Sequence, residues 1–148
     1  MSGQRQRYPG RFLLNVGRNY PMMVENAVLH MFSGSCDFGV STDIRVETGA
    51  DVVADYTDLP FNNDSFDAVL ADPPYADHYQ KQWGGNLPKP KWILKEGVRV
   101  LRPGGLIGIL HIIVIPAYKE LGVKRIGLHP ILAGVNNAMR VFNVFKKL

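Results

Sequence analysis

Cysteine is almost missing from this chain: Cys36 stands alone. A single thiol excludes an internal disulfide framework and a cysteine-only zinc site, and the reading that follows is a reducing, cytoplasmic setting. Long apolar runs are missing too. The longest, Leu106 to Ile115, is about half the length of a membrane-spanning helix, so no membrane segment is expected. The basic start MSGQRQRYPGR has no apolar signal core close behind it. Acidic residues are scarce in one half only. Residues 80–148 hold Glu96 and Glu120 against twelve Lys or Arg, a net +10. Residues 1–79 hold no Lys, five Arg and eleven Asp or Glu, a net −6. Two readings of that asymmetry stay open, an unevenly charged solvated surface and a polyanion-binding face. There is no repeat, no low-complexity segment and no linker, so 148 residues suit one domain with a sizeable core.

What is present is a strand-and-turn pattern. Residues 1–20 are polar, Arg-rich and interrupted by Gly and Pro, which predicts a loosely ordered N-terminal arm over 1–26, with Phe12-Leu13-Leu14 packing back. Pro21 to Ala27 suits a short helix within it. Strands are predicted at 27–32, 40–45, 51–55, 67–71 and 106–113, the last continuous and apolar as in a sheet covered on both faces. One helix is expected at Pro90–Leu101, where Leu94, Val98 and Leu101 share a face and Arg102-Pro103-Gly104-Gly105 stops it. Lys124–Ile131 and Ala138–Lys146 read as a closing antiparallel hairpin. The catalytic core is therefore 27–148, an open α/β sheet whose ligands bind beyond the carboxyl ends of the strands.

Those ends carry small or acidic residues in succession: Ser33-Gly34-Ser35, Asp43, Asp55 and Asp72-Pro73-Pro74-Tyr75. The stretches LHMFSGS, VADYTDLPF, NNDSFDAV, DPPY and VLRPGG, in this order over about residues 28–115, resemble the class I S-adenosylmethionine-dependent methyltransferases. DPPY resembles the signature of the DNA amino-methyltransferases that act on adenine N6 or cytosine N4. The resemblance implies a Rossmann-like methyltransferase fold with a reversed last strand inserted beside the fifth. It implies S-adenosylmethionine as cofactor, held by Phe32, Ser33, Gly34, Ser35, Asp43, Asp55 and Tyr56. It further implies Asp72, Pro73, Pro74 and Tyr75 as catalytic residues. An aromatic amine is a poor nucleophile, because its lone pair is delocalised into the ring. The Asp72 carboxylate and the Pro73 carbonyl could each accept one amine N–H and aim the lone pair at a methyl group. Prolines hold such a loop rigid, and the Tyr75 ring offers a face for a flipped-out base.

Two features depart from the family. Seven residues separate Phe32 from the second strand, so the first crossover helix is shortened or missing. The usual Gly-x-Gly is absent, and His30 stands where an acid is common. In residues 76–95, basic and aromatic residues interleave, and Tyr79, Lys81, Trp83, Lys89 and Lys91 are candidates for binding a nucleic-acid strand. Trp92 is read as core or as part of that group. His30, His111 and His129 read as core histidines, and no residue spacing suggests a metal site. The leading expectation is methyl transfer to an exocyclic amine of a nucleic-acid base, adenine N6 favoured and DNA before RNA. Target recognition would then come from the loop, the arm, an oligomer or a partner. The alternatives are methylation of a small molecule or protein amide, and a non-catalytic module that binds nucleic acid or a partner.

Overall fold

The computed structural model describes residues 12–33, 36–74, 87–132 and 139–148. Seven strands are formed: β1 (Val28–Met31), β2 (Val40–Asp43), β3 (Val52–Val53), β4 (Phe66–Ala71), β5 (Leu101–His111), β6 (Val123–Leu132) and β7 (Met139–Lys147). They make one sheet in the order β3-β2-β1-β4-β5-β7-β6. β1 to β5 pair in parallel, and β7 runs antiparallel between β5 and β6. The reversed last strand lies where the family resemblance implies, beside the fifth.

Successive side chains of a strand face opposite sides, so each central strand feeds two cores. On one side Leu29, Met31, Val69, Ala71, Ile107 and Ile109 pack with Ile93, Leu94 and Val98 of helix α3 (Pro90–Val100). On the other, Val28, Ala68, Leu70, Leu110, Phe142 and Val144 pack with Val16 and Met23. Those two belong to α1 (Phe12–Asn19) and α2 (Met22–Glu25). The segment read as a loose arm is thus helical from residue 12 and seals the second face. Val16 is 3% exposed and Met23 is fully buried. The Tyr20 hydroxyl is hydrogen-bonded to His129 Nε2 on β6, which ties this layer to the far edge of the sheet. Among the described residues no helix is long and apolar enough to cross a membrane.

Among the described residues the β1–β2 connection has no crossover helix: residues 32, 33 and 36–39 are all non-helical. The strands are so short that none is needed. Four residues rise about 13 Å, and eight residues extended reach roughly 26 Å. Phe32 turns the chain with φ 63°, and Gly39 turns it again with φ 71°. A Cβ on Gly39 would lie 2.4 Å from the Val28 carbonyl oxygen, so glycine alone fits this close approach. Phe38 then stacks edge-on against His30 with ring centroids 4.6 Å apart, filling part of the space a helix would occupy.

β5 begins at Leu101 rather than Leu106. Leu101 pairs with Phe66 and Leu106 with Ala68, so the RPGG segment bulges from the ladder instead of preceding it. Gly104 adopts φ 81° there.

Candidate active site

β2, β1, β4 and β5 lie side by side, and their carboxyl ends bring the polar residues of the sequence to one edge. Asp43 ends β2, and its side chain is 1% exposed. Its Oδ1 accepts hydrogen bonds from the Arg45 backbone N (3.0 Å) and Arg45 Nε (3.4 Å). The Asp43 carbonyl accepts from Ala54 N at 3.0 Å, so Asp55 follows directly beside β2. Asp55 is exposed, and its Oδ1 accepts from Thr57 N (2.9 Å) and Thr57 Oγ1 (2.7 Å). Tyr56 next to it meets Phe32, the first residue after β1, with ring centroids 5.3 Å apart. Tyr56 OH accepts from Lys89 N at 3.2 Å, tying this wall to the residue before α3.

A buried clamp holds the Asp55–Tyr56 loop. Glu96 of α3 accepts from Leu59 N (2.7 Å) and from Arg99 Nε (2.5 Å). Arg99 also donates to the carbonyls of Leu59 (2.9 Å) and Phe61 (2.8 Å) and to Asn63 Oδ1 (3.0 Å). This explains the LPF stretch: two of its carbonyls and one amide are fixed by a single helix. Asp67 is structural, as its place at the head of β4 suggests, with Oδ1 accepting from Arg102 (2.8 Å) and Oδ2 from Ala27 N (3.2 Å).

Asp72 continues from β4, and its N donates to the Met31 carbonyl at 3.4 Å, so the Asp72-Pro73-Pro74 segment stays joined to the end of β1. Pro73 is buried, while Asp72 and Pro74 are half-buried. Tyr75, Tyr79, Lys81 and Trp83 lie outside the described residues, as do Gly34 and Ser35. Ser33 is buried, and its Oγ donates to the His30 carbonyl (3.3 Å). Lys89 is exposed. Lys91 pairs with Glu120 at 3.0 Å and lies over the Tyr118 ring. Trp92, which the sequence left as a core candidate, is 42% exposed.

Ile44 and Asn143 escaped the sequence reading, and His111 was read there only as a core histidine. Ile44 follows Asp43 at the site edge and is 42% exposed, an apolar surface beside a buried carboxylate. His111 ends β5, two residues past Ile109, just as Pro73 lies two past Ala71, the partner of Ile109. It is buried, its Nδ1 accepts from Ile112 N at 2.9 Å, and burial lowers its pKa. Asn143 on β7 is fully buried. It accepts from Ile115 N (2.9 Å) and donates to the Ile113 carbonyl (3.1 Å), fixing the chain that leaves β5. His30 fits the core reading: burial depresses its pKa to about 4, so it is neutral at pH 7.

These residues suit an adenosine. A ribose diol and an adenine amino group are donors, and Asp43 at the end of β2 and Asp55 in the loop after β3 supply carboxylate acceptors. Phe32 and Tyr56, with ring centroids 5.3 Å apart, supply apolar surface at the same edge.

The comparisons with known proteins bear on the fold and the family. The family described as "Methyltransferase domain" matches residues 37–109. No protein of curated function matches the chain in sequence. Among solved structures, a SAM-dependent methyltransferase from Methanosarcina mazei has 14% identity and a TM-score of 0.62, covering 97% of this chain and 99% of its own. One from Mesorhizobium loti has 11% identity and a TM-score of 0.61, with 93% and 98% covered. The 1,6-didemethyltoxoflavin-N1-methyltransferase of Burkholderia thailandensis, solved with S-adenosylhomocysteine, has 10% identity and a TM-score of 0.61, with 90% and 75% covered. The matched segment, carried on a seven-stranded sheet of this order, identifies a class I S-adenosylmethionine-dependent methyltransferase domain in this chain, and S-adenosylmethionine is its cofactor.

Proposed function

We propose that this protein transfers methyl to an exocyclic amine of a nucleic-acid base, with adenine N6 in DNA the favoured acceptor. The observation that carries the reading is the Asp72-Pro73-Pro74 loop at the exit of central strand β4, bonded to the exit of β1. S-adenosylmethionine, when bound, supplies an electrophilic sulfonium methyl group. Asp43 and Asp55 would hold its adenosine end, and Phe32 and Tyr56 would lie against it. Asp72 and the Pro73 carbonyl each accept one amine N–H, turning the nitrogen lone pair toward the methyl carbon. On methyl transfer the acceptor nitrogen would gain positive charge, which the Asp72 carboxylate would stabilise. The nitrogen then gives up one proton to Asp72 or to water. Tyr75 completes the arrangement as the stacking face for the base.

The charge distribution supports a polyanionic substrate. The β1–β3 half carries Asp37, Glu47, Asp51 and Asp58, while the β6–β7 half carries Lys124, Arg125, Arg140 and Lys146. Lys124 and Lys146 are direct cross-strand partners, an arrangement that costs stability unless an anion is near. A second reading, N-methylation of a small heterocycle, takes its support from the toxoflavin-type enzyme that shares the fold.

The test uses purified protein, labelled S-adenosylmethionine and unmodified DNA, RNA and small-heterocycle acceptors. Label in nucleic acid that disappears in Asp72→Ala supports the proposal. Label confined to the heterocycle supports the second reading. No label in any acceptor, with cofactor binding intact, removes the enzymatic reading in favour of a binding module.

A further inference from the structure

We propose that a groove on the outer side of α3 is a nucleotide subsite, holding one unit of a single-stranded nucleic acid next to the reaction cleft. The inference rests on the nucleic-acid reading above and deepens it. The groove is lined by Thr57, Trp92, Lys95 and Glu96 and has a volume of about 290 Å³. That is at the small end for ligand pockets and suits a single nucleotide rather than a larger ligand.

Each lining residue has a defined part. Trp92 is a large apolar ring left 42% exposed on a helix whose opposite face fills the core. Lys95 Nζ lies 5.1 Å from the centre of that ring, and among the described residues no carboxylate pairs with it. Glu96 adds no open negative charge, because its oxygens are taken by Leu59 N and Arg99. The available charge of the groove is therefore the Lys95 ammonium. An ammonium on an exposed indole is held more weakly than a stacked base. An arriving base displaces Lys95 from the ring, and the freed ammonium is placed to meet the phosphate. Thr57 connects the groove to the site, since it follows Asp55 and Tyr56 and donates both N–H and O–H to Asp55. Exposed Lys89 directly precedes α3 and is bonded through its backbone to Tyr56, on the wall that also carries Asp55. A strand whose target base sits at Asp72 can thus run over Lys89 to Trp92.

The experiment measures binding of a labelled ten-nucleotide single-stranded DNA to the full chain by fluorescence anisotropy across a salt series. Methylation kinetics on the same oligonucleotide are measured alongside, and cofactor titration serves as a control for folding. Trp92→Ala should weaken binding about tenfold, and Trp92→Phe should stay within about threefold of wild type because it keeps a stacking face. Lys95→Gln should reduce the slope of log affinity against log salt by about 0.7. In turnover, Trp92→Ala should raise KM and leave kcat unchanged. Binding by Trp92→Ala within twofold of wild type, or no oligonucleotide binding by wild type, overturns the subsite. Trp92-dependent binding without methyl transfer keeps the subsite and overturns the catalytic reading. Methyl transfer with Trp92-independent binding does the reverse.

Discussion

Removing the Glu96 carboxylate tests whether α3 holds the cofactor side of the site in place. In Glu96→Ala, the buried Leu59 N loses its 2.7 Å acceptor and Arg99 loses its ion pair. An orphaned buried donor costs about 1–3 kcal/mol, and breaking a buried pair costs about 3–5 kcal/mol. The Glu96 side chain is 10% exposed but that of Arg99 is 33% exposed, which favours the low end, about 3 kcal/mol in total. For a chain of this size that lowers Tm by roughly 9 °C. The loss falls on the loop carrying Asp55 and Tyr56. If about half of it must be restored when cofactor binds, affinity for S-adenosylmethionine falls about tenfold. Differential scanning fluorimetry and calorimetry read the two quantities. Glu96→Gln keeps an acceptor for Leu59 N and should lose less of both. A Glu96→Ala protein that melts within 2 °C of wild type and binds cofactor equally would refute the reasoning.

Three other perturbations follow from the same geometry. His30 has its pKa depressed to about 4 by burial. The unfolded chain, titrating near 6.5, binds the proton first, so stability is fully present above about pH 6.5 and declines as pH falls toward 4. Melting curves from pH 4 to 7 should show up to about 3 kcal/mol of loss from this group, and His30→Gln should flatten that dependence. Gly39→Ala forces a Cβ to within 2.4 Å of the Val28 carbonyl oxygen at a positive φ, so urea unfolding should show a loss of at least about 2 kcal/mol. Asn143→Leu leaves Ile115 N without its buried acceptor and should cost about 2–3 kcal/mol by the same measurement, with faster amide exchange at residues 113–115.

The strands were legible because a sheet covered on both faces demands unbroken apolar runs. LADPPY stood out because such a run ends abruptly in a carboxylate and two prolines. The exits of β1, β2 and β4 were readable for the same reason: polar residues after buried strands have few structural uses. Helix α1 was hidden by the Arg, Gly and Pro around it, and Val16 shows its purpose only once Leu110 and Phe142 lie beneath it. The early start of β5 was hidden because RPGG reads as a turn, and a bulge can carry a turn inside a strand. The Glu96 clamp joins residues 37 positions apart and leaves no periodic trace. Trp92 and His111 were ambiguous because an aromatic on a helix, or a histidine in an apolar run, acquires its meaning from which neighbour faces it. The missing crossover was visible as a short spacing, which left the N-terminal arm or a partner to cover that face. The N-terminal helices and the Phe38–His30 contact now cover that face.

The most direct test of the account is mass spectrometry of a single-stranded DNA oligonucleotide with one adenine, after incubation with the protein and S-adenosylmethionine. The account predicts one added methyl group, located on adenine N6, abolished by Asp72→Ala and strongly reduced by Asp43→Ala. Methylation at a carbon or at a backbone oxygen, or N6-methylation undiminished in Asp72→Ala, would contradict it.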